Sequence, residues 1–304
     1  MSTFKHWEHT EYVNKEQYEA FLHHNVPLTP SVQLPYNTAV YVEQSPSEGT
    51  KRLEAIYDPV VKGIRQLKSK KEPNRDLRLY QDALMSDHMT VVAVDGLMGT
   101  GKTSTCIEFL IEKHLSGGSV RLDGLKYPED KPDHKLLIAK PSVNADGEEY
   151  GFLPGDINEK IQPTLANYIQ YFERNHQLSF DDLREAGHVE ILPLGFIRGL
   201  DAKYMTIVVD ECQNTKELVT VVTRKAKDDS RIFLLGDTSP FQIDRQGNTP
   251  DNNGLTHIID LLTGAPYFQY IEMKSIENIV RSEEVKDIVR RLFKKHGSDP
   301  KEWV

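Results

Sequence analysis

Eight consecutive residues, Gly96-Leu97-Met98-Gly99-Thr100-Gly101-Lys102-Thr103, have the types and spacing that phosphate chemistry needs. They fit G-x-x-x-x-G-K-[ST], in which glycines let backbone N–H groups converge on phosphate oxygens. The N-terminus of a following helix adds partial positive charge. Lys102 is expected to neutralise the β and γ phosphates of ATP, and Thr103 to offer its hydroxyl to Mg²⁺, a cation that prefers oxygen ligands and keeps several waters. With Ser104 opening the helix, the stretch Gly96 to Ser104 is the expected nucleotide-binding segment.

A second cluster follows the apolar run Met205-Thr206-Ile207-Val208-Val209, where Asp210 and Glu211 emerge together. In this reading Asp210 and Thr103 hold the hydrated Mg²⁺, and Glu211 polarises an attacking water, a division of labour that hydrolysis requires and simple binding does not. A further apolar run, Arg231 to Leu235, ends in Gly236-Asp237 and is followed by Gln242, so a carboxylate and an amide stand where they can sense the γ-phosphate. Charge building on that phosphate also calls for an arginine. Arg281, Arg224 and Arg198 are all candidates, and spacing alone does not choose among them.

These side chains need a scaffold that brings strand ends together. From about residue 76 onward, apolar runs of strand length alternate with amphipathic stretches, the signature of a parallel sheet covered by helices. Expected strands are Met89 to Asp95, Lys135 to Ala139, Val189 to Leu192, Met205 to Asp210, Arg231 to Gly236 and Phe268 to Met273. Helices are expected from Ser104 to Leu115 and from Glu283 to about Lys295, the latter with Val285, Ile288, Val289 and Leu292 on one face. Arg290, Arg291, Lys294 and Lys295 gather at its end, the feature nearest to a nucleic-acid surface, where cations also suit the helix dipole. The fold class is therefore α/β: a P-loop core with a mainly parallel sheet flanked by helices over residues 76–304, preceded by an N-terminal extension over residues 1–75. Within the extension, helices are expected from Tyr12 to His23 and from Pro59 to Leu67, the second with Asp58 as N-cap and Pro59 at its first position. The stretch Gly117 to His134, rich in Gly, Asp, Lys and Pro, reads as an inserted loop or hairpin.

Composition narrows the classes of function. The 304 residues carry 38% hydrophobic side chains, enough for an ordinary globular core. No apolar run approaches the roughly 20 residues of a spanning helix, and the start of the sequence lacks an apolar signal core, so a cytoplasmic protein without a membrane partner is expected. The two cysteines, Cys106 and Cys212, lie in apolar segments and read as buried free thiols. A formal charge of -9 repels polyanions, so any nucleic-acid binding must use a local basic strip.

The residues resemble the PhoH family, P-loop ATPases with motifs like those of superfamily 1 helicases, over about residues 74 to 295. Beyond the phosphate loop, the resemblance rests on Gln81, Lys140-Pro141, Gly151-Phe152-Leu153-Pro154-Gly155-Asp156 with Lys160 and Pro163, and Pro193 to Gly199. It continues through Asp210 to Asn214, Thr223-Arg224, Gly236-Asp237, Gln242-Ile243-Asp244, Asn253-Gly254-Leu255 and Ile279-Val280-Arg281-Ser282. It implies that Gln81 reads the adenine edge and that Gln213 links the acidic strand to the γ-phosphate or to bound nucleic acid. Departures from the family pattern are Lys140 for the commoner Arg, Leu97-Met98 for Pro-Ala, Cys212 for Ala, and a segment Thr238 to Phe241 that is two residues longer. Residues 1–75 lack the spaced acidic cluster of the nuclease domain sometimes fused in this family.

The expected activity is ATP hydrolysis, coupled to single-stranded RNA or DNA and with helicase action as one form of that coupling. One such core suffices for only half of a motor cleft, so the sequence and the resemblance together predict a homo-oligomeric ring, a hexamer, with Arg281 or Arg224 reaching ATP across the interface. Lys140 and Lys160 are expected to meet nucleic-acid phosphates. An ATP-driven switch that remodels a protein partner is the alternative, and a small-molecule kinase a third reading.

Overall fold

Asn14 stops one element and starts the next: its side chain accepts from the Gln17 amide at 2.9 Å, Gln17 returns a bond to its backbone, and the helix α1 (Lys15–His24) begins there. The segment expected to be helical from Tyr12 is thus strand β1 (Thr10–Val13) up to Val13. The computed structural model describes residues 6–45, 52–69, 74–114, 135–141, 168–173, 179–216, 218–225 and 230–297. The chain divides into two compact units, Met1–Thr90 with Leu261–Ile271, and Val91–Asp260 with Glu272–Val304.

In the first unit, β1, β2 (Ala39–Gln44), β3 (Leu53–Asp58) and β4 (Gly63–Gln66) form a sheet in that order, with β1 and β2 parallel and the other pairs antiparallel. Tyr18 and Phe21 of α1 pack on Val40, Val42, Ala55 and Ile64. The helix expected from Pro59 to Leu67 does not form. The Asp58 carboxylate accepts from the Val60 amide at 2.7 Å, Lys62 turns with φ 52°, and the chain returns as β4 with Ile56 opposite Arg65. An aspartate that caps a helix and one that closes a turn use the same bond to the N–H two residues on, so the sequence signal is shared. What decides is tertiary: Ile64 is fully buried, and its amide and carbonyl exchange hydrogen bonds with Leu28 at 2.8 and 2.9 Å. Buried Arg65 then binds Asp82 of α2 (Arg75–Met85) at 2.7 and 3.0 Å and also pairs with Asp58.

The α/β sheet has the order β10-β5-β9-β8-β6-β7. Its strands are β5 (Val91–Gly96), β6 (Lys135–Lys140), β7 (Val189–Pro193), β8 (Met205–Val209), β9 (Arg231–Gly236) and β10 (Phe268–Met273), all six at the expected places. The pairs β5 with β9, β9 with β8, β8 with β6 and β6 with β7 are parallel. Every residue of β5 and β9 is buried, as strands covered on both faces must be. The described residues also include helices α3 (Lys102–His114), α4 (Phe180–Glu185), α5 (Val219–Val222), α6 (Gly254–Leu262) and α7 (Glu283–Lys295), a helical stretch at 168–173, and short 3-10 turns at Leu194–Gly199, Cys212–Asn214 and Ile276–Asn278. The apolar face of α7 differs from expectation. Ile288 is 53% exposed, whereas Val289 and Phe293 are buried, because Phe293 meets Phe241 edge-on at 4.9 Å. Both cysteines are buried, and neither forms a disulfide. No helix among the described residues is long and apolar enough to cross a membrane. The Gly117 to His134 insertion lies outside the described residues, apart from its neighbours Lys135 onward.

Register sets the site. Asp95 lies opposite Gly236, Val209 opposite Leu234, and Ala139 opposite Val209. The carboxyl ends of β5, β9, β8 and β6 are therefore level, and Gly96, Asp237, Asp210 and Lys140 leave the sheet along one edge, where ligands of open α/β sheets bind.

Candidate functional site

The phosphate loop is held by its glycines and by the chain that crosses it. Gly99 and Gly101 have φ of 81° and 82°, a region that favours glycine. At Gly99 a Cβ would stand 3.2 Å from Arg281 Cδ, and the Gly99 carbonyl accepts from the Val280 amide at 3.0 Å. At the loop's start the Leu97 amide donates to Met273 O at 3.1 Å, and the Thr100 hydroxyl donates to Leu97 O at 2.9 Å. Leu97 and Thr100 therefore face inward, while Met98, Gly99, Gly101, Lys102, Thr103 and Ser104 line a cleft of about 640 Å³. Leu97 packs with Ile276, Ile279, Val289 and Phe293, and Met98 joins that cluster with Phe241.

The acidic pair forms the opposite wall. Asp210 Oδ1 accepts from the Glu211 amide at 3.0 Å, Oδ2 accepts from the Tyr168 hydroxyl at 2.5 Å, and the Thr103 hydroxyl is 3.4 Å from both oxygens. Burial and the Asp210 charge push the Tyr168 phenol well above its usual range, so it acts as a donor. Glu211 adopts a left-handed backbone, φ 58° and ψ 39°, that turns its side chain into the cleft. Burial and then the Asp210 charge raise its carboxyl above the usual glutamate range, against the pull of Lys102, Gln213 and Lys140.

Gln213 ties three segments together. Its amide nitrogen donates to Glu211 Oε2 at 2.7 Å and to the Gln242 carbonyl at 3.0 Å, while its amide oxygen accepts from the Asp237 N–H at 3.0 Å. One buried side chain thus sets the distance between the acidic pair, the end of β9 and the loop that follows it. Asp237 is buried, and its Oδ1 accepts from the Ser239 amide at 3.0 Å, while Oδ2 has no hydrogen-bond partner. Burial raises the Asp237 carboxyl, opposed first by Lys102 and then by the Ser239 bonds. A buried carboxylate oxygen left without a donor beside an ammonium suits a site that takes up further polar groups on loading.

Such an arrangement offers convergent backbone amides, one lysine, a hydroxyl with a carboxylate, and a second carboxylate at a raised pKa, which is chemistry for a phosphate chain and an activated water. A family model described as PhoH-like protein matches residues 71–292. The chain belongs to the PhoH family. It is a P-loop, ATPase-like family, and the fold above is that of its nucleotide-binding core. Protein PhoH2 of Thermobispora bispora is 26% identical over 221 residues, covering 72% of this chain and 47% of that protein. The PhoH-like protein of Mycobacterium tuberculosis is 30% identical over 212 residues, 69% of this chain and 54% of that one. That of Synechocystis is 32% identical over 163 residues, 53% and 44% respectively. The chain spans about half the length of these curated relatives.

Of the residues singled out by sequence, Lys102, Thr103, Ser104, Asp210, Glu211, Gln242, Arg281 and Lys140 line the cleft together. Gln242 is held in place by its neighbours: Phe241 packs on Phe293, and the Gln242 carbonyl accepts from the Gln213 side-chain amide. Arg281 lines the cleft of its own chain. Arg224 is half-buried away from the cleft, its Nε donating to Thr220 O at 3.3 Å. Gln81 lies on α2 in the first unit. Lys160, Pro163 and the Gly151 to Asp156 stretch, together with the Arg198 side chain, lie outside the described residues.

Sequence reasoning missed Tyr168, Gln170, Tyr171 and Glu108, which also line the cleft. It also missed a buried pair beneath the loop: Lys274 Nζ is 2.7 Å from Asp95 Oδ2, and Asp95 accepts from the Thr238 amide and hydroxyl at 3.0 and 2.7 Å. A charged residue directly before Gly96, at the end of a wholly apolar strand, was the available signal for Asp95. Tyr168 offered none.

Proposed function

We propose that this PhoH-family chain binds and hydrolyses ATP in the cleft between the phosphate loop and the Asp210–Glu211 pair. The observation that carries this reading is the state of Glu211: half-buried, raised in pKa, oriented by Gln213 at 2.7 Å, and in the same cleft as Lys102 and Thr103. A carboxylate that served only as an outer partner of a cation would have no need of a dedicated orienting amide. Thr103 and Asp210, 3.4 Å apart, would hold Mg²⁺, which supplies charge neutralisation on the phosphate oxygens when bound. Lys102 and the loop amides bind the phosphate chain, Glu211 takes the proton of the attacking water, and Arg281, lying over Gly99 in the same chain, meets charge developing on the γ-phosphate. Gln213 carries the change at that phosphate to Asp237 and the Gln242 loop. Gln81 is assigned to the adenine edge by resemblance alone.

The hydrolysis is proposed to be coupled to single-stranded RNA or DNA by a homo-oligomeric ring in the cytoplasm, a hexamer in the simplest case, with Arg224 as the residue left to act between subunits. The expected result is phosphate release by the native chain, lost in Lys102→Ala and Glu211→Gln and stimulated by single-stranded RNA or DNA. Phosphate release that no nucleic acid changes would reject the coupling and favour the protein-remodelling switch. Nucleotide binding without any phosphate release would reject hydrolysis itself.

A further inference from the structure

One buried hydroxyl at the cleft has no part in phosphate binding or water activation. Tyr168 is 1% exposed and belongs to the helical stretch described at 168–173, whose Phe172 packs against Phe180 at 5.4 Å between ring centroids. Its hydroxyl donates to Asp210 Oδ2 at 2.5 Å. The other oxygen, Oδ1, accepts from the Glu211 amide at 3.0 Å. A carboxylate pinned at one oxygen still turns about its last side-chain bond, a broad and roughly two-fold rotation. Donors at both oxygens fix its plane, here with both oxygens 3.4 Å from the Thr103 hydroxyl. The Lys140 ammonium lies 5.1 Å from the Tyr168 ring centroid and lines the same cleft, so the ring is clasped from its face as well as by its hydroxyl.

We propose that Tyr168 is a positioning residue that orients the Asp210 carboxylate for the divalent cation, so that the gain in nucleotide affinity brought by Mg²⁺ depends on its hydroxyl. This rests on the nucleotide reading given above. Tyr168 touches neither phosphate nor water in this role; it acts through Asp210, and its loss should separate metal-dependent from metal-independent binding. A residue that merely fills space would alter both alike.

The test is the affinity of the purified full chain for a fluorescent non-hydrolysable ATP analogue, measured in EDTA and in excess MgCl₂. Tyr168→Phe keeps the ring and its packing. Its affinity in EDTA is expected to stay within about twofold of wild type, while the Mg²⁺ enhancement falls about tenfold, the loss of one hydrogen bond to a charged group. In an Asp210→Asn background the same substitution should remove no further enhancement, as coupling through Asp210 requires. An undiminished enhancement in Tyr168→Phe overturns the proposal, as does an equal loss in EDTA and Mg²⁺. A wild-type chain that binds no analogue, or gains nothing from Mg²⁺, overturns the nucleotide reading together with it.

Discussion

In the proposed hydrolysis Glu211 is the group that activates water, and its environment gives signed expectations. Its carboxyl titrates above the ordinary glutamate value, so the rate of phosphate release should rise with pH through a limb above the usual carboxylate range. Stability runs the other way. Between the unfolded value, about 4.3, and the raised native one, the native state holds more protons than the unfolded chain, so the contribution of this group falls as pH rises and stays lower above that window. Glu211→Gln removes that cost. It should lower kcat by about 10²–10⁴, keep ATP binding, and melt higher than wild type at neutral pH, with the two melting curves converging in acid. Equal melting temperatures at pH 7 would mean that the carboxyl is not under the strain argued for it. Gly99 gives a second expectation: alanine there faces both φ 81° and the Arg281 chain at 3.2 Å, so Gly99→Ala should weaken nucleotide binding and displace Arg281, read as a raised KM with a reduced kcat.

At the scale of elements, α7 and the loop after β9 brace the phosphate loop. Leu97 and Met98 of that loop and Phe241 of the segment before Gln242 meet in one cluster with Val289 and Phe293. Phe293→Ala should therefore cost about 3–5 kcal/mol in denaturant unfolding and loosen the phosphate loop, seen as weaker ATP binding. A loss confined to stability would show that the loop does not depend on the helix. The six core strands were legible because buried parallel strands write themselves as unbroken apolar runs bounded by the residues of the site. The hairpin β3–β4 was not legible, since Asp58 followed by Pro59 signals turn and helix alike, and the deciding contact, Leu28 with Ile64, is remote in sequence. Likewise Asp210, Glu211 and Lys102 were found because motif spacing fixes them, whereas Tyr168 reaches Asp210 across 42 positions with no pattern around it. In the same first unit, Arg65→Ala leaves Asp58 and Asp82 buried without their cation, and should destabilise the chain by about 3–5 kcal/mol.

At the scale of the whole molecule, the question is which side chains complete a cleft that one chain largely builds. Arg281 lies in the cleft of its own chain, and Arg224 lies outside it with a partly accessible side chain. If the ring reading holds, the two arginines must respond differently to mixing of subunits. Arg224→Ala leaves a chain with an intact cleft that lacks the arginine offered by its neighbour, whereas Glu211→Gln leaves a dead cleft that still offers Arg224. Each homogeneous variant should turn over at least about 10²-fold more slowly than wild type. Mixed and reassembled together, they should regain activity, because Glu211→Gln subunits supply Arg224 to clefts that retain Glu211. Arg281→Ala mixed with Glu211→Gln should regain none, because the missing arginine belongs to the same chain as the working glutamate. Native mass spectrometry of the mixture, with the single chain at 34.7 kDa, establishes that the subunits have exchanged and how many a ring contains. Recovery with Arg281→Ala instead would transfer the role between subunits from Arg224 to Arg281, and recovery with neither, in rings known to be mixed, would leave each cleft complete within its own chain.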